Sequence, residues 1–111
     1  MVIQPQFRGS EGWGSKLARA GDAQWGLAMQ DDITDGVKYL TERGLVDPAR
    51  VCIAGASYGG YAALWGVIKT PELYRCAISF AGVSDIELFL TRTRESDAGA
   101  VARELRRSHI G

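Results

Sequence analysis

Val51-Cys52-Ile53-Ala54-Gly55-Ala56-Ser57-Tyr58-Gly59-Gly60-Tyr61 is the stretch on which the fold turns. Val51 to Ala54 is an unbroken apolar run of strand length, partly β-branched, and has the pattern of a parallel strand buried on both faces. Gly55 stops it. The segment from Tyr58 to Lys69 reads as a helix, with Pro71 just past its end. Its Gly59, Gly60, Ala62, Ala63 and Gly66 would let it approach a sheet closely. A second apolar run, Cys76 to Ala81, reads as another buried strand. Strand, helix, strand within about thirty residues is a βαβ unit, so the chain is expected to be α/β with a parallel sheet.

At the junction of the first strand and the helix, Gly55-Ala56-Ser57-Tyr58-Gly59 matches G-x-S-x-G. The five letters alone are a weak signal, and their place between a buried strand and a glycine-rich helix is what strengthens it. A serine on such a sharp turn adopts strained backbone angles, which flanking residues without bulky side chains permit. The turn thrusts its hydroxyl out at the C-terminal edge of the sheet. Ser57 is therefore the candidate nucleophile. The backbone N–H of Tyr58, at the helix N-terminus, is the candidate donor to the oxyanion formed when a serine attacks a carbonyl. The plainer reading is that Ser57 caps the helix, but a cap does not require glycines on both sides.

Upstream, Val2 to Phe7 looks like the end of a strand, and Gly9, Gly12 and Gly14 mark a loop. Asp31 and Asp32 precede a helix in which Ile33, Val37 and Leu40 recur at helical spacing, with Gly44 ending it as a C′ residue. Asp47-Pro48 is a turn. Downstream, Asp85 to Ser108 is polar and partly helical, with no linker or repeat.

Composition narrows the function classes. The 111 residues are 46% hydrophobic and 23% charged, an ordinary globular balance. Thirteen Lys and Arg offset thirteen Asp and Glu, so no net positive field draws nucleic acid or anionic lipid. The arginines at 92, 94, 103, 106 and 107 alternate with Glu95, Asp97 and Glu104, as on a solvated helix face. No apolar stretch is long enough to span a bilayer. Cys52 and Cys76 sit inside the two apolar runs and are expected to be buried free thiols. No Cys/His cluster suggests a metal, and no cofactor is expected.

Four blocks together resemble a known family. They are Gly55-Ala56-Ser57-Tyr58-Gly59-Gly60-Tyr61; Phe7-Arg8-Gly9-Ser10 with Gly12-Trp13-Gly14; Gln24-Trp25-Gly26 followed by Met29-Gln30-Asp31-Asp32; and Asp47-Pro48 with Arg50-Val51. In order and spacing they look like the dipeptidyl-peptidase and acylaminoacyl-peptidase branch of the prolyl oligopeptidase serine peptidases, from Val2 to the neighbourhood of Asp85. The resemblance implies that residues 1–111 are a partial α/β-hydrolase domain, truncated at both ends, with flanking helices and a nucleophile elbow. It further implies a serine peptidase whose Ser57 attacks peptide or acyl-peptide bonds of short peptides. A second oxyanion donor would come from another loop, and a β-propeller elsewhere in the parent would restrict access. Arg8, Trp13 and Trp25 are expected to brace loops around the site. The compartment is left open between a cytoplasmic protein, the first choice, and a periplasmic or secreted parent; the oligomeric state is open too.

A hydrolytic serine needs a histidine as base and a carboxylate to orient it, in this fold in the order Ser, Asp or Glu, His. Ser57, Asp85 and His109 have that order. In the family, however, the acid lies near an HGxxD segment and the histidine near the domain's end, and neither motif occurs here. The expectation is that acid and base lie outside these residues, with His109 on the surface and the isolated chain inactive. It is also expected to be poorly stable or self-associating, because half a sheet leaves edges and apolar faces uncovered. Two alternatives stand beside this reading: a carboxylesterase or lipase on the same fold, and a non-catalytic truncated hydrolase acting as a binding module.

Overall fold

The computed structural model describes residues 1–95 together with 100, 103 and 104. In chain order its elements are α1 (Ser15–Arg19), α2 (Ala28–Glu42), β1 (Cys52–Ala56), α3 (Tyr58–Lys69), β2 (Cys76–Phe80) and α4 (Ile86–Glu95). The chain forms two compact units: Met1–Pro5 with Gln30–Ser84, and Gln6–Met29 with Asp85–Gly111.

The first unit is the predicted βαβ. Strands β1 and β2 pair in parallel, with Cys52 opposite Cys76, Ile53 opposite Ala77, Ala54 opposite Ile78, Gly55 opposite Ser79 and Ala56 opposite Phe80. A parallel pair cannot be joined by a tight hairpin and needs a crossover, and α3 is that crossover. The core is Val51, Ile53, Ala63 and Tyr74, packed by Ile33 and Val37 of α2, by Val67 of α3, and by Leu73 and Ala77. Small residues let the layers close. A Cβ on Gly66 would stand 3.1 Å from Ile53 Cδ1 and 3.2 Å from both Gln30 Nε2 and Tyr74 Cε2. Gln30 is fully buried, and its Nε2 donates to the Ala62 carbonyl at 3.0 Å, tying α2 to α3. At the surface Lys69 Nζ meets Asp31 Oδ1 at 2.7 Å.

The connections follow local chemistry. Gly44, at φ +70°, ends α2 as predicted: its N–H donates to Thr41 O at 3.0 Å and that of Leu45 to Leu40 O at 3.0 Å. These are the two bonds of a Schellman cap. The Asp47 side chain accepts the Ala49 N–H at 2.9 Å, and its carbonyl accepts that of Arg50 at 3.0 Å, which makes the predicted turn before β1.

Five expectations are corrected. Gly55 does not stop the first strand, which runs on to Ala56, and α2 begins at Ala28, so that Asp31 and Asp32 lie inside the helix rather than before it. Val2 to Phe7 forms no strand, and Val2 is 96% exposed: an extended segment becomes a strand only beside a partner, and none pairs with it among the described residues. The strands are not buried on both faces. Ile53 is buried, whereas Cys52, Ala54, Ala56, Cys76, Ile78 and Phe80 are all exposed, because α2 and α3 cover one side only. The cysteines are not buried free thiols. They are exposed, and register places their Cα atoms 4.7 Å apart, where they form a disulfide.

In the second unit, Gly9 N–H donates to Leu17 O at 2.8 Å and Ser10 Oγ to Phe7 O at 2.7 Å, folding the predicted glycine loop onto α1. A Cβ on Gly21 would come within 2.8 Å of Gly9 N, so two chain segments meet there through glycine alone. The polar tail is helical in part, as expected: Asp85 Oδ1 accepts the Leu88 N–H at 2.8 Å and starts α4. Among the described residues no helix is long and apolar enough to cross a membrane, and no group of three or more His, Cys, Asp or Glu residues is placed to hold a metal.

Candidate active site

Strand β1 delivers Ser57 to the edge of the sheet, and α3 begins at the next residue. Ser57 has φ 53° and ψ −118°, a region L-residues rarely occupy, at a cost of about 1–3 kcal/mol that the surroundings must offset. The side chain is exposed and makes no capping hydrogen bond to α3. A serine recruited as an N-cap uses its oxygen on the helix N–H groups from ordinary extended angles, and Ser57 does neither.

Its backbone is held from two sides. Ser57 N–H donates to Phe80 O, the last carbonyl of β2, at 3.0 Å, and Ser57 O accepts Tyr61 N–H at 3.2 Å to close the first turn of α3. The chain can turn this sharply because Gly55 has no side chain: a Cβ there would run into the Gly59 backbone, with Gly59 Cα at 2.7 Å. The second glycine of the motif differs, since a Cβ on Gly59 would meet nothing within 4 Å. The tighter constraint falls one residue later. A Cβ on Gly60 would lie 2.6 Å from Gly82 Cα and 2.8 Å from Ser79 Oγ.

The Ser79–Gly82 segment is the part of the site that sequence reading missed. Phe80 supplies the carbonyl that anchors Ser57, and Ala81 follows at φ 48°, like Ser57 a non-glycine residue at positive φ. Gly82 then packs on Gly60. The available signal was Ala81-Gly82 at the end of the second apolar run, which mirrors Gly55-Ala56-Ser57 at the end of the first.

An α-helix directs its first-turn N–H groups out beyond its N-terminus, where they favour negative charge. Tyr58 is the first residue of α3, and its ring stacks at a tilt on Tyr61 with centroids 5.7 Å apart. Burial, and then the neighbouring Tyr61, push the Tyr58 phenol well above its ordinary pKa, and burial raises Tyr61 likewise. Both phenols are therefore neutral at physiological pH.

Of the other residues singled out, Asp85 uses its carboxylate to cap α4. His109, the chain's single histidine, lies outside the described residues. Arg8 and Trp25 are partly buried, whereas Trp13 is 68% exposed and so packs little of its ring.

Comparison with known proteins gives a consistent picture. The family model described as the prolyl oligopeptidase family matches residues 1–105. The chain is similar to dipeptidyl peptidase family member 6 of Caenorhabditis elegans, 38% identical over 85 residues, covering 77% of this chain and 12% of that protein. It is similar also to dipeptidyl aminopeptidase BIII of Pseudoxanthomonas mexicana, 37% identical over 90 residues, covering 81% of this chain and 13% of the relative. A puromycin-hydrolyzing peptidase of Mycobacterium tuberculosis superposes with a TM-score of 0.82 at 28% identity, over 96% of this chain and 15% of that one. The small parallel sheet with its helices is thus a partial α/β fold of the expected class, and the chain spans only 12% to 13% of the length of these two curated relatives.

Proposed function

The chain belongs to the prolyl oligopeptidase family, and from that premise we propose that it carries the nucleophile of a serine peptidase acting on peptide or acyl-peptide bonds of short peptides. The observation that carries the reading is Ser57 itself, exposed, uncapped and held at φ 53° by Gly55 on one side and Phe80 on the other. Strain of this kind persists where the surroundings enforce it and is concentrated at functional sites.

In the proposed mechanism Ser57 Oγ adds to the scissile carbonyl as a base takes its proton. The carbonyl oxygen becomes an oxyanion held by the Tyr58 N–H, and the tetrahedral centre collapses with loss of the protonated amine. The resulting ester on Ser57 is hydrolysed by water through the reverse sequence of proton transfers. No cofactor is needed. Acid and base are proposed to come from sequence outside these residues, a reading supported by the small share of each relative that the chain spans and by the engagement of Asp85 in capping α4. The isolated chain is then inactive.

The peptidase names of the relatives favour this reading over an esterase or lipase on the same fold. The test is hydrolysis of dipeptidyl and acyl-aminoacyl anilides by the longer protein that contains this chain. Ser57→Ala is expected to lower kcat by about a thousandfold or more with KM little changed. Activity that survives the substitution would contradict the role given to Ser57.

A further inference from the structure

Cys52 and Cys76 are register partners at the first positions of β1 and β2, joined by a disulfide across 24 residues of sequence. Both residues are exposed, on the side of the sheet away from the core. At the other end of the same two strands, Ser57 N–H is held by Phe80 O. One register therefore carries the disulfide at one end and the anchor of Ser57 at the other.

We propose that Cys52–Cys76 is a thiol–disulfide exchange site, opened by low-molecular-weight thiols and closed by their disulfides, and that it staples the βαβ unit that holds Ser57. In opening, a thiolate attacks one cysteine sulfur, breaking the S–S bond and forming a mixed disulfide while the other cysteine leaves as thiolate. A second thiolate attacks the small-molecule sulfur of that mixed disulfide. The products are two cysteine thiolates, which take up protons according to the pH, and one small-molecule disulfide. The protein gains two electrons and the thiol pair loses two. Closure is the same sequence reversed. Exchange requires access, and the exposed positions of both cysteines provide it.

The consequence for the fold comes from what the bond encloses. The closed loop runs through β1, Ser57, all of α3 and Leu73 to β2, so the constraint acts on the whole segment whose ordering sets the Ser57 turn. Cross-linking restricts the unfolded form of that loop. Among the described residues the sheet is two strands wide and α2 and α3 pack on one side of it, so few other interactions fix its register. The staple acts whether or not Ser57 is reactive.

The test uses the purified chain and needs no enzymatic activity. Intact-mass measurement after N-ethylmaleimide treatment is expected to show no adduct on the untreated chain. Two adducts are expected after incubation with dithiothreitol or glutathione under native conditions. Thermal unfolding followed by circular dichroism is expected to show a fall in Tm of about 10 °C or more on reduction. The double variant Cys52→Ser, Cys76→Ser should match the reduced protein with or without reductant. Adducts without reductant would overturn the disulfide, and adducts appearing only after denaturation would overturn the exchange site. An unchanged Tm on complete reduction would overturn the staple. Should the double variant fail to fold, the mass and melting measurements on the unsubstituted chain decide.

Discussion

The two faces of the β1–β2 sheet are made from alternate residues of the same strands, and their surroundings differ sharply. One face presents Ile53 and Ala77 to α2 and α3, and closes so tightly around Gly55, Gly60 and Gly66 that a single added carbon meets other atoms at about 3 Å or less. The other presents Ala54, Ala56, Ile78 and Phe80 to solvent, with Ile78 62% and Phe80 74% exposed. Strands that are apolar at every position specify a covering layer on both sides. The described residues supply one. The covered face is where the chain's fit is specific and where Ser57 is set, while the open face carries apolar surface and the disulfide.

The sharpest break of this comparison is a methyl group added at three glycines of the covered side. Gly55→Ala and Gly60→Ala force carbon into the Gly59 and Gly82 backbones and should each destabilise by about 3 kcal/mol. Gly59→Ala, inside the same motif but with open space, should be neutral or raise stability by about 0.5–1 kcal/mol through its gain in helix propensity. Urea unfolding measures all three. Equal effects at residues 55 and 59 would show that the motif's letters rather than local packing set the requirement.

Next in size is Gln30→Ala, which removes the side-chain donor to Ala62 O from a fully buried residue and should cost about 2 kcal/mol in the same measurement. A change below about 0.5 kcal/mol, typical of exposed sites, would mean that the α2–α3 contact does not rest on this bond.

The covered side should also titrate. Burial raises the phenol pKa of Tyr58, Tyr61 and Tyr74 above 10.0. Above pH 10 the unfolded chain loses these protons while the folded chain retains them, so the unfolded state gains and stability declines as pH rises. Their contribution is complete below pH 10. Tyr58→Phe should flatten the decline, and an identical alkaline profile would remove Tyr58 as a cause.

The smallest effect on folding is expected on the open face. Ile78→Lys and Phe80→Lys should each change stability by less than about 0.5 kcal/mol. They should nonetheless shift the chain from associated species toward monomer in analytical ultracentrifugation, since exposed apolar patches drive association. Strong destabilisation would show that this face is packed rather than open.

What the sequence revealed and what it hid divide along the same line. The βαβ order, the Ser57 turn, the Gly44 cap and the Asp47 turn were legible because each depends on residues adjacent in the chain. The Cys52–Cys76 bond was not, because it depends on register across 24 residues, which neither apolar run encodes alone. The roles of Gln30 and of Phe80 to Gly82 were hidden for the same reason, being contacts between segments. The open face was misread because an apolar run looks the same whether one side or both are covered. Ser57 was legible as a turn residue, but only its angles and its unused capping oxygen separate it from an ordinary helix cap.

Fluorophosphonate labelling with peptide mapping tests the central claim most directly, because the reagent reports an activated serine without a known substrate. In the longer protein that contains this chain, the label is expected on the peptide bearing Ser57 and is expected to vanish in Ser57→Ala, while the folded 111-residue chain stays unlabelled. Labelling of the longer protein that persists in Ser57→Ala, or that maps to another serine, would contradict the assignment of Ser57 as the nucleophile.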